Sequence, residues 1–363
     1  DLDGIVTLWN AGAAQMLGWS EPEMIGRPIS AFFTDEDIQA QRPRAKRKEA
    51  LENGRAHDAR WHVSKSGPRF WGLSEMAPLR DAAGIVIGFV KVIRDQTAEH
   101  EAEQALATAV SVIEAARGSA DPALVMPLQI QGRLFYIQGR YEAALANIAR
   151  ARALLDDRAD TATVAELLFE EGRALDALGR FAEAENVARG GLGLRLDLLG
   201  PDDPLTADTL NQLANALMAQ GRFAEAEPIF RRALGIYEVA YGRDSDTVAL
   251  VLSNLGNVLR RTGRMDQAGA AYARAVGIAE GLGDPFLLAQ LLNNYGWYLH
   301  LADRDVEAQP VFGRVLALAV ELAGPEHPFT GIARANLAIT LSGQGRHAEA
   351  LPLFAEALAV LEP

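Results

Sequence analysis

One short segment recurs along most of the chain and constrains its fold more than any other feature. It reads Gly-Arg, a bulky residue, two variable positions and Ala, as in the stretch from Gly221 to Ala226. Further copies, one of them degenerate and without the glycine, begin 40 or 42 residues apart at Gly139, Gly179, Gly263, Asp303 and Gly345. Self-similarity at a fixed period of this length predicts an array of stacked structural repeats.

Each repeat predicts two amphipathic helices that meet at the Gly-Arg turn. In the repeat around Gly221 we expect helix A over about 206–220 and helix B over about 222–241. Small residues recur at one position before the turn and at one after it. Those before it are Gly132, Gly172, Ala214, Gly256, Gly296 and Ala338. Since glycine inside a helix costs about 1 kcal/mol relative to alanine, its recurrence indicates close helix packing.

This register of small, aromatic and alanine positions resembles the tetratricopeptide repeat. The 42-residue spacing and the linkers at 199–204 and 323–328 are similar to the kinesin-light-chain-like variety. The resemblance implies an all-α superhelical solenoid of six repeats over 121–363, with the A helices lining a concave surface. The match is weaker in the second repeat, where we expect the glycines at 190, 191 and 193 to loosen helix B.

Carboxamide side chains recur in register on the predicted A helices. Asparagine is a poor helix former, so this recurrence asks for a reason. A carboxamide both donates and accepts hydrogen bonds, and in tetratricopeptide domains such residues often bind a peptide backbone. We predict a groove that binds a protein or peptide partner; the alternative is a solvated helix surface. The candidate groove residues are Gln212, Asn215, Asn254, Asn257, Asn294 and Asn336.

Residues 1–97 differ in composition from the rest and contain every lysine of the chain. We expect a strand over 5–9, a short helix up to Leu17 capped by Asn10, and a longer helix over 36–52 that Pro43 interrupts. Three further strands are predicted over 56–64, 69–79 and 84–94. This order predicts an α+β unit with one antiparallel sheet and helices on one face.

The order of motifs in this segment resembles a PAS domain. The motifs include Asp3-Gly4-Ile5-Val6, Trp9-Asn10, Phe33-Thr34-Asp35 and the closing Arg94-Asp95-Gln96-Thr97. The resemblance implies a sensor or dimerisation module with a small internal pocket. In PAS domains a first strand would precede Asp1. We therefore expect an open sheet edge, and a homodimer formed through this end of the chain.

Eight apolar residues of the PAS-like segment are candidates to line such a pocket, the alternative being that they form an ordinary core. They are Met16, Ile25, Phe33, Trp61, Val63, Phe70, Met76 and Phe89. We expect no cofactor and no metal. The photoactive flavin subtype needs a cysteine, which the chain lacks, and the haem subtype needs a histidine on the long helix, where 36–52 has none.

Residues 98–120 predict a connecting helix. Its apolar stripe comprises Ala102, Leu106, Ala109, Ile113 and Ala116. Two interpretations remain open: a coiled-coil signalling helix, or helix B of a half-repeat that packs on a helix over 124–138. The second follows from the repeat register, which places a turn at Thr97 one period before Gly139.

Composition limits the classes of function. A net charge of -13 argues against nucleic-acid binding, and no apolar run approaches the ~20 residues of a membrane helix. The lack of cysteine fits a cytoplasmic protein.

No catalytic triad or carboxylate pair is evident, so we expect a non-enzymatic sensor–adaptor, a PAS module coupled to a tetratricopeptide scaffold. The alternative is a ligand-binding PAS regulator from a larger signalling enzyme, such as a kinase or cyclase.

Overall fold

A computed structural model describes residues 1–155 and 160–361. The chain divides into two compact units, Asp1–Ser119 and Ala120–Pro363. The first combines short helices with an antiparallel sheet, and the described part of the second is helical throughout. The predicted fold class, an α+β domain followed by an all-α solenoid, is confirmed.

The first unit places all but the last of its helices before its strands. The helices are α1 (Ala11–Leu17), α2 (Glu21–Met24), α3 (Asp35–Gln39) and α4 (Arg42–Asn53), with a 3-10 turn at Ile29–Phe32. The strands are β1 (Ala56–Val63), β2 (Arg69–Arg80) and β3 (Val86–Asp95), and α5 (Thr97–Arg117) follows. The sheet order is β1-β2-β3, and both neighbouring pairs are antiparallel.

Local chemistry explains how these helices begin and end. The Asn10 side chain accepts a hydrogen bond from the Ala13 backbone N–H at 2.8 Å, and Gly18 ends α1 with a φ of 76°. The predicted long helix is two helices, as expected from Pro43, which lies in the first turn of α4. Gln41 connects them with a φ of 53°, in the left-handed region that a regular helix does not use.

The predicted strand over 5–9 is wrong. Ile5 forms only an isolated bridge with Pro28. The Val6 backbone N–H donates to the Arg27 carbonyl at 2.8 Å, and the Val6 carbonyl accepts from the Gly26 N–H at 2.9 Å. The backbone groups of this segment are thus satisfied by the loop after α2. Alternating apolar residues predict an extended chain, but they do not predict that its partner is a strand.

The Asp95-Gln96-Thr97 motif joins the sheet to α5. The Thr97 hydroxyl accepts from the Trp71 backbone N–H at 2.8 Å and donates to an Asp95 carboxylate oxygen at 2.6 Å. One turn later the His100 ring stacks on Trp71, with ring centroids 3.7 Å apart. α5 contacts β2, and none of its residues is buried. The half-repeat interpretation of this helix stays a prediction.

The second unit is built from consecutive helix pairs. In its described part these are α6 (Val125–Ile137) with α7 (Tyr141–Ala153), α8 (Thr161–Ala177) with α9 (Phe181–Leu199), α10 (Pro204–Ala219) with α11 (Phe223–Ala240), α12 (Asp246–Arg261) with α13 (Met265–Leu282), α14 (Pro285–Leu301) with α15 (Asp305–Ala323), and α16 (Pro328–Gly343) with α17 (His347–Leu361). A continuous core runs through the middle pairs, with the rings of Phe230, Tyr272 and Phe312 almost fully buried.

The Gly-Arg turn has one geometry in every copy. Gly221 adopts a φ of 77°, and Asp303, which replaces glycine in the degenerate copy, adopts 56°. In some copies the following arginine also contacts the previous repeat. Arg222 forms ion pairs with Glu225 at 2.7 Å in its own repeat and with Glu185 at 2.6 Å in the previous one. In this copy the recurring segment specifies both the turn and a contact between repeats.

The small residues have the packing role that their recurrence predicts. A Cβ atom on Gly256 would lie 2.9 Å from the Tyr272 ring, closer than side-chain carbons approach each other. The expected loosening of helix B in the second repeat is wrong, because α9 runs unbroken through its glycines. Gly191 is buried there, and a Cβ atom on it would lie 3.5 Å from the Leu168 side chain.

Candidate functional site

The A helices of the array lie side by side. α10 contacts both α8 and α12, and α12 also contacts α14. Carboxamides bridge neighbouring A helices along this face. The amide nitrogen of Asn254 donates to Asn215 at 3.1 Å, and that of Asn336 donates to Asn293 at 2.8 Å. Asn294 donates in the same way to the Ser253 hydroxyl at 3.1 Å. We call Asn254, Asn294 and Asn336 the asparagine ladder.

The other predicted groove residues are also engaged within the array. Gln212 is buried and donates to the Phe169 carbonyl at 2.8 Å, while its Oε1 atom has no partner among the described residues. The Asn257 side-chain oxygen accepts from the Tyr272 hydroxyl at 2.8 Å. The hydrogen bonds of the ladder use its amide nitrogens. Its carbonyl oxygens are therefore the atoms that could accept from the N–H groups of a partner. Asn254 and Asn294 are half-buried, whereas Asn336 is only 6% exposed.

Charged residues replace the carboxamides toward the start of the array, which our reading of the sequence missed. Glu170 stands in α8 at the register position of Gln212 and forms an ion pair with Arg133 of α6. Burial raises the pKa of Glu170, although Arg133 opposes the shift. Glu166 pairs with Arg133 at 2.6 Å and with Arg195 at 2.9 Å. The repeat register alone could have identified Glu170.

The first unit contains a cavity of about 470 Å³, which we call the PAS cavity. It opens between β3 and the segment that leads into α1. Of the eight predicted pocket residues, the structure brings three to its wall: Met16, Met76 and Phe89. Ile29, Phe32 and Lys91 also line it. The alternation of β3 places Phe89, Lys91 and Ile93 on one face, a signal that we did not use in reading the sequence.

The remaining five predicted pocket residues lie elsewhere. Phe33 and Phe70 are buried in the core of the first unit, and Ile25 is 42% exposed. Trp61 and Val63 are half-buried and alternate along β1 with the fully buried His62. Because successive side chains of a strand point to opposite faces, these two lie on the face of the sheet away from the core.

A buried polar group lies on the inner face of the sheet. Asp58 pairs with the Arg60 guanidinium at 2.7 Å and accepts from the Ser74 hydroxyl. Burial opposes ionisation of Asp58, but the Ser74 hydrogen bond and nearby cations outweigh it, so its pKa is lowered. Burial lowers the pKa of His62 to about 4 and that of Lys91 to about 8. Desolvation disfavours the charged form of each base.

Two kinds of feature are absent from the described residues. In residues 1–155 and 160–361, no group of three or more His, Asp or Glu side chains could hold a metal ion. No helix in these ranges combines the length and the apolar character needed to cross a bilayer.

Comparison with known protein families supports both resemblances. The sequence model of the tetratricopeptide repeat family matches residues 157–238, 205–281, 247–319 and 287–362, which together exceed half of the chain. The model of the PAS domain matches residues 1–98. Both resemblances inferred from the sequence are thereby confirmed.

Individual proteins are similar to parts of the chain. Two-component system protein A of Emericella nidulans is 34% identical over 109 residues, which cover 30% of this chain and only 16% of that protein. BtubC (BKLC) from P. vanneervenii has a TM-score of 0.50 at 21% identity, covering 61% of this chain and 88% of its own. A Rap protein complexed with Competence and Sporulation Factor has a TM-score of 0.52 at 15% identity, covering 65% of this chain and 69% of its own. The two structural likenesses concern the fold alone.

Proposed function

Since the chain belongs to the tetratricopeptide repeat family and begins with a PAS domain, we propose that it is a signalling sensor–adaptor. In this proposal the PAS domain senses a signal and associates with a second copy, while the repeat array binds a protein partner. The partner lies as an extended segment along the A helices. The match to a two-component system protein supports a role in signalling.

The asparagine ladder is the observation that carries this proposal. Its three side chains are spaced one repeat apart, and each is held by a hydrogen bond to the preceding A helix. Their orientation is therefore fixed before a partner binds, which reduces the entropy lost on binding. The side-chain oxygens of the half-buried Asn254 and Asn294 are acceptors suited to the N–H groups of an extended peptide backbone, and the buried Asn336 continues the row by one repeat.

The ladder is tested with a peptide selected on the full chain from a random phage-displayed library. Changing Asn254, Asn294 and Asn336 together to alanine is expected to weaken binding by roughly tenfold or more, because several hydrogen bonds to the peptide would be lost. Asn186→Ala, on an exposed part of helix α9, is the matched control and should bind normally. Circular dichroism checks that the triple variant is folded. A folded triple variant with full affinity would refute the ladder as the binding site.

The second candidate function is a regulatory fragment of a larger signalling enzyme. The two-component relative favours it, because the matched segment is a small part of a much longer protein. In that case the PAS domain would bind a ligand and control a kinase or cyclase encoded beside it. Sequencing the reading frame on both sides of these residues tests this candidate, and a frame without any catalytic domain would reject it.

A further inference from the structure

The PAS cavity combines apolar walls with two cations. Ile29, Phe32, Met76 and Phe89 contribute apolar surface, while Lys91 and Arg47 contribute the positive charges of side chains on β3 and α4. No described residue accepts a hydrogen bond from Lys91 Nζ or forms an ion pair with it. The same holds for the Arg47 guanidinium, which packs against Gly4. Asp1 also lines the cavity, but its carboxylate accepts from the backbone N–H groups of Asp3 and Ile5. Among the described residues, neither cation has a carboxylate in direct contact with it.

Neighbouring carboxylates influence Lys91 electrostatically without contacting it. Asp58 is the acidic group with the strongest influence on it, but Asp58 is already paired with Arg60 at 2.7 Å. Asp37, the other nearby carboxylate, is also paired with Arg60, at 2.8 Å. The Lys91 ammonium lies 4.5 Å from the centre of the Phe33 ring and 5.9 Å from that of Phe32. Aromatic faces compensate only part of the lost hydration of a cation.

A cation without a direct hydrogen-bond acceptor in a partly desolvated site is unfavourable and gains most from a bound anion. The walls restrict which anion fits. A cavity of about 470 Å³ lies in the size range of small-molecule sites, and such sites consist mainly of apolar surface with a few polar groups. A small inorganic anion would leave the apolar surface uncovered. A neutral apolar molecule would leave Lys91 without a partner.

We propose that the PAS cavity binds an organic acid with an apolar body, whose carboxylate pairs with Lys91 and whose chain lies against Phe32, Met76 and Phe89. Arg47 contributes a second positive charge at the wall. This deepens the sensory half of the proposed function by naming the chemical class of the signal, and it makes no use of the repeat array.

The ligand class is tested by titrating octanoate and 1-octanol separately into the full chain. Calorimetry measures the binding of each. They share the apolar chain and differ in charge. Octanoate should bind roughly 10- to 100-fold more tightly than 1-octanol, the range for a hydrogen bond to a charged group. Trp9 also lines the cavity and provides a fluorescence signal of occupancy. Failure of octanoate to bind, or equal binding of octanol, would overturn the proposal.

Lys91→Met identifies the site, because it keeps the length and apolar part of the side chain while removing the charge. It should lose the preference for octanoate and retain weak binding of 1-octanol. Lys91→Arg should retain the preference, and Lys65→Met, outside the cavity, should behave as the unchanged protein. If Lys91→Met kept full octanoate affinity, the proposed site would be wrong. Peptide binding by the array is measured in the same samples, so loss of the acid ligand leaves the scaffold proposal separately testable.

Discussion

His62 lies fully buried between the rings of Phe32, Phe33 and Phe70. Its Nδ1 atom is 3.1 Å from the Arg60 carbonyl, and its Nε2 atom has no hydrogen-bond partner among the described residues. Burial lowers its pKa from 6.5 to about 4. Between these two pH values the unfolded chain binds a proton that the folded domain does not, so the stability due to His62 is present above pH 6.5 and is lost as the pH falls.

We predict that the PAS domain loses about 2 kcal/mol of stability through His62 between pH 7 and pH 5. His62→Phe should remove most of this dependence, since phenylalanine suits the surrounding rings and binds no proton. Urea unfolding followed by tryptophan fluorescence measures it, because Trp9, Trp19, Trp61 and Trp71 all lie in the first unit.

The exposed neighbour His57 supplies the control, and His57→Gln should keep the acid dependence of the unchanged protein. If the slope of stability against pH were the same in His62→Phe as in the unchanged chain, another group would have to account for it.

At the scale of the helix, glycines of similar local conformation have opposite roles. Gly256 in α12 faces the ring of Tyr272, which is buried and held by its hydrogen bond to Asn257 at 2.8 Å. Gly277 in α13 is exposed, and a Cβ atom on it would meet no atom within 4 Å. The first glycine is required by packing, whereas the second only lowers the helix propensity.

Alanine at these two positions should therefore change stability in opposite directions. Gly256→Ala is expected to destabilise the array by about 1–3 kcal/mol, the usual cost of overpacking. Gly277→Ala should stabilise it by up to about 1 kcal/mol. Thermal unfolding of the array, followed by far-ultraviolet circular dichroism, measures both. Stabilisation by Gly256→Ala would contradict the packing argument.

At the scale of the whole molecule, the outer face of the PAS sheet carries exposed apolar side chains. Val92 is 63% exposed, Val90 48% and Leu73 41%. These residues lie on neighbouring strands and alternate with inward-facing residues, so they form one patch. Val90 and Val92 also border the PAS cavity. We propose that this patch is the contact through which two copies associate, consistent with the dimer expected at this end of the chain.

Multi-angle light scattering should give a mass of twice 39.1 kDa for the full chain. The double substitution Val90→Lys and Val92→Lys should convert the protein to a monomer. Its circular dichroism signal should stay unchanged, because the fold is kept. Val239→Lys in the array, where the side chain is 89% exposed, is the control and should remain dimeric. A mass of one chain for the unchanged protein at high concentration would reject the proposal.

Much of the architecture could be predicted from the sequence because it depends on local chemistry. The glycine of the Gly-Arg turn, the small residues of the helix contacts and the period of the repeat predict the helix pairs without knowledge of the fold. Asn10, Pro43 and the Asp95-Gln96-Thr97 motif act in the same way on the PAS domain. Most of their effects involve neighbours within a few residues or one repeat; the hydrogen bond from the Trp71 N–H to Thr97 is longer in range.

Only the tertiary structure decided which groups meet across space. Periodicity showed that Trp61 and Met76 lie in strands, but not that the first faces away from the core while the second reaches the PAS cavity. It aligned the ladder asparagines without showing that their amide nitrogens already bond to the preceding helix. It could not single out Lys91 as a cation without an acidic partner, because a charge's partner is set by packing of distant segments.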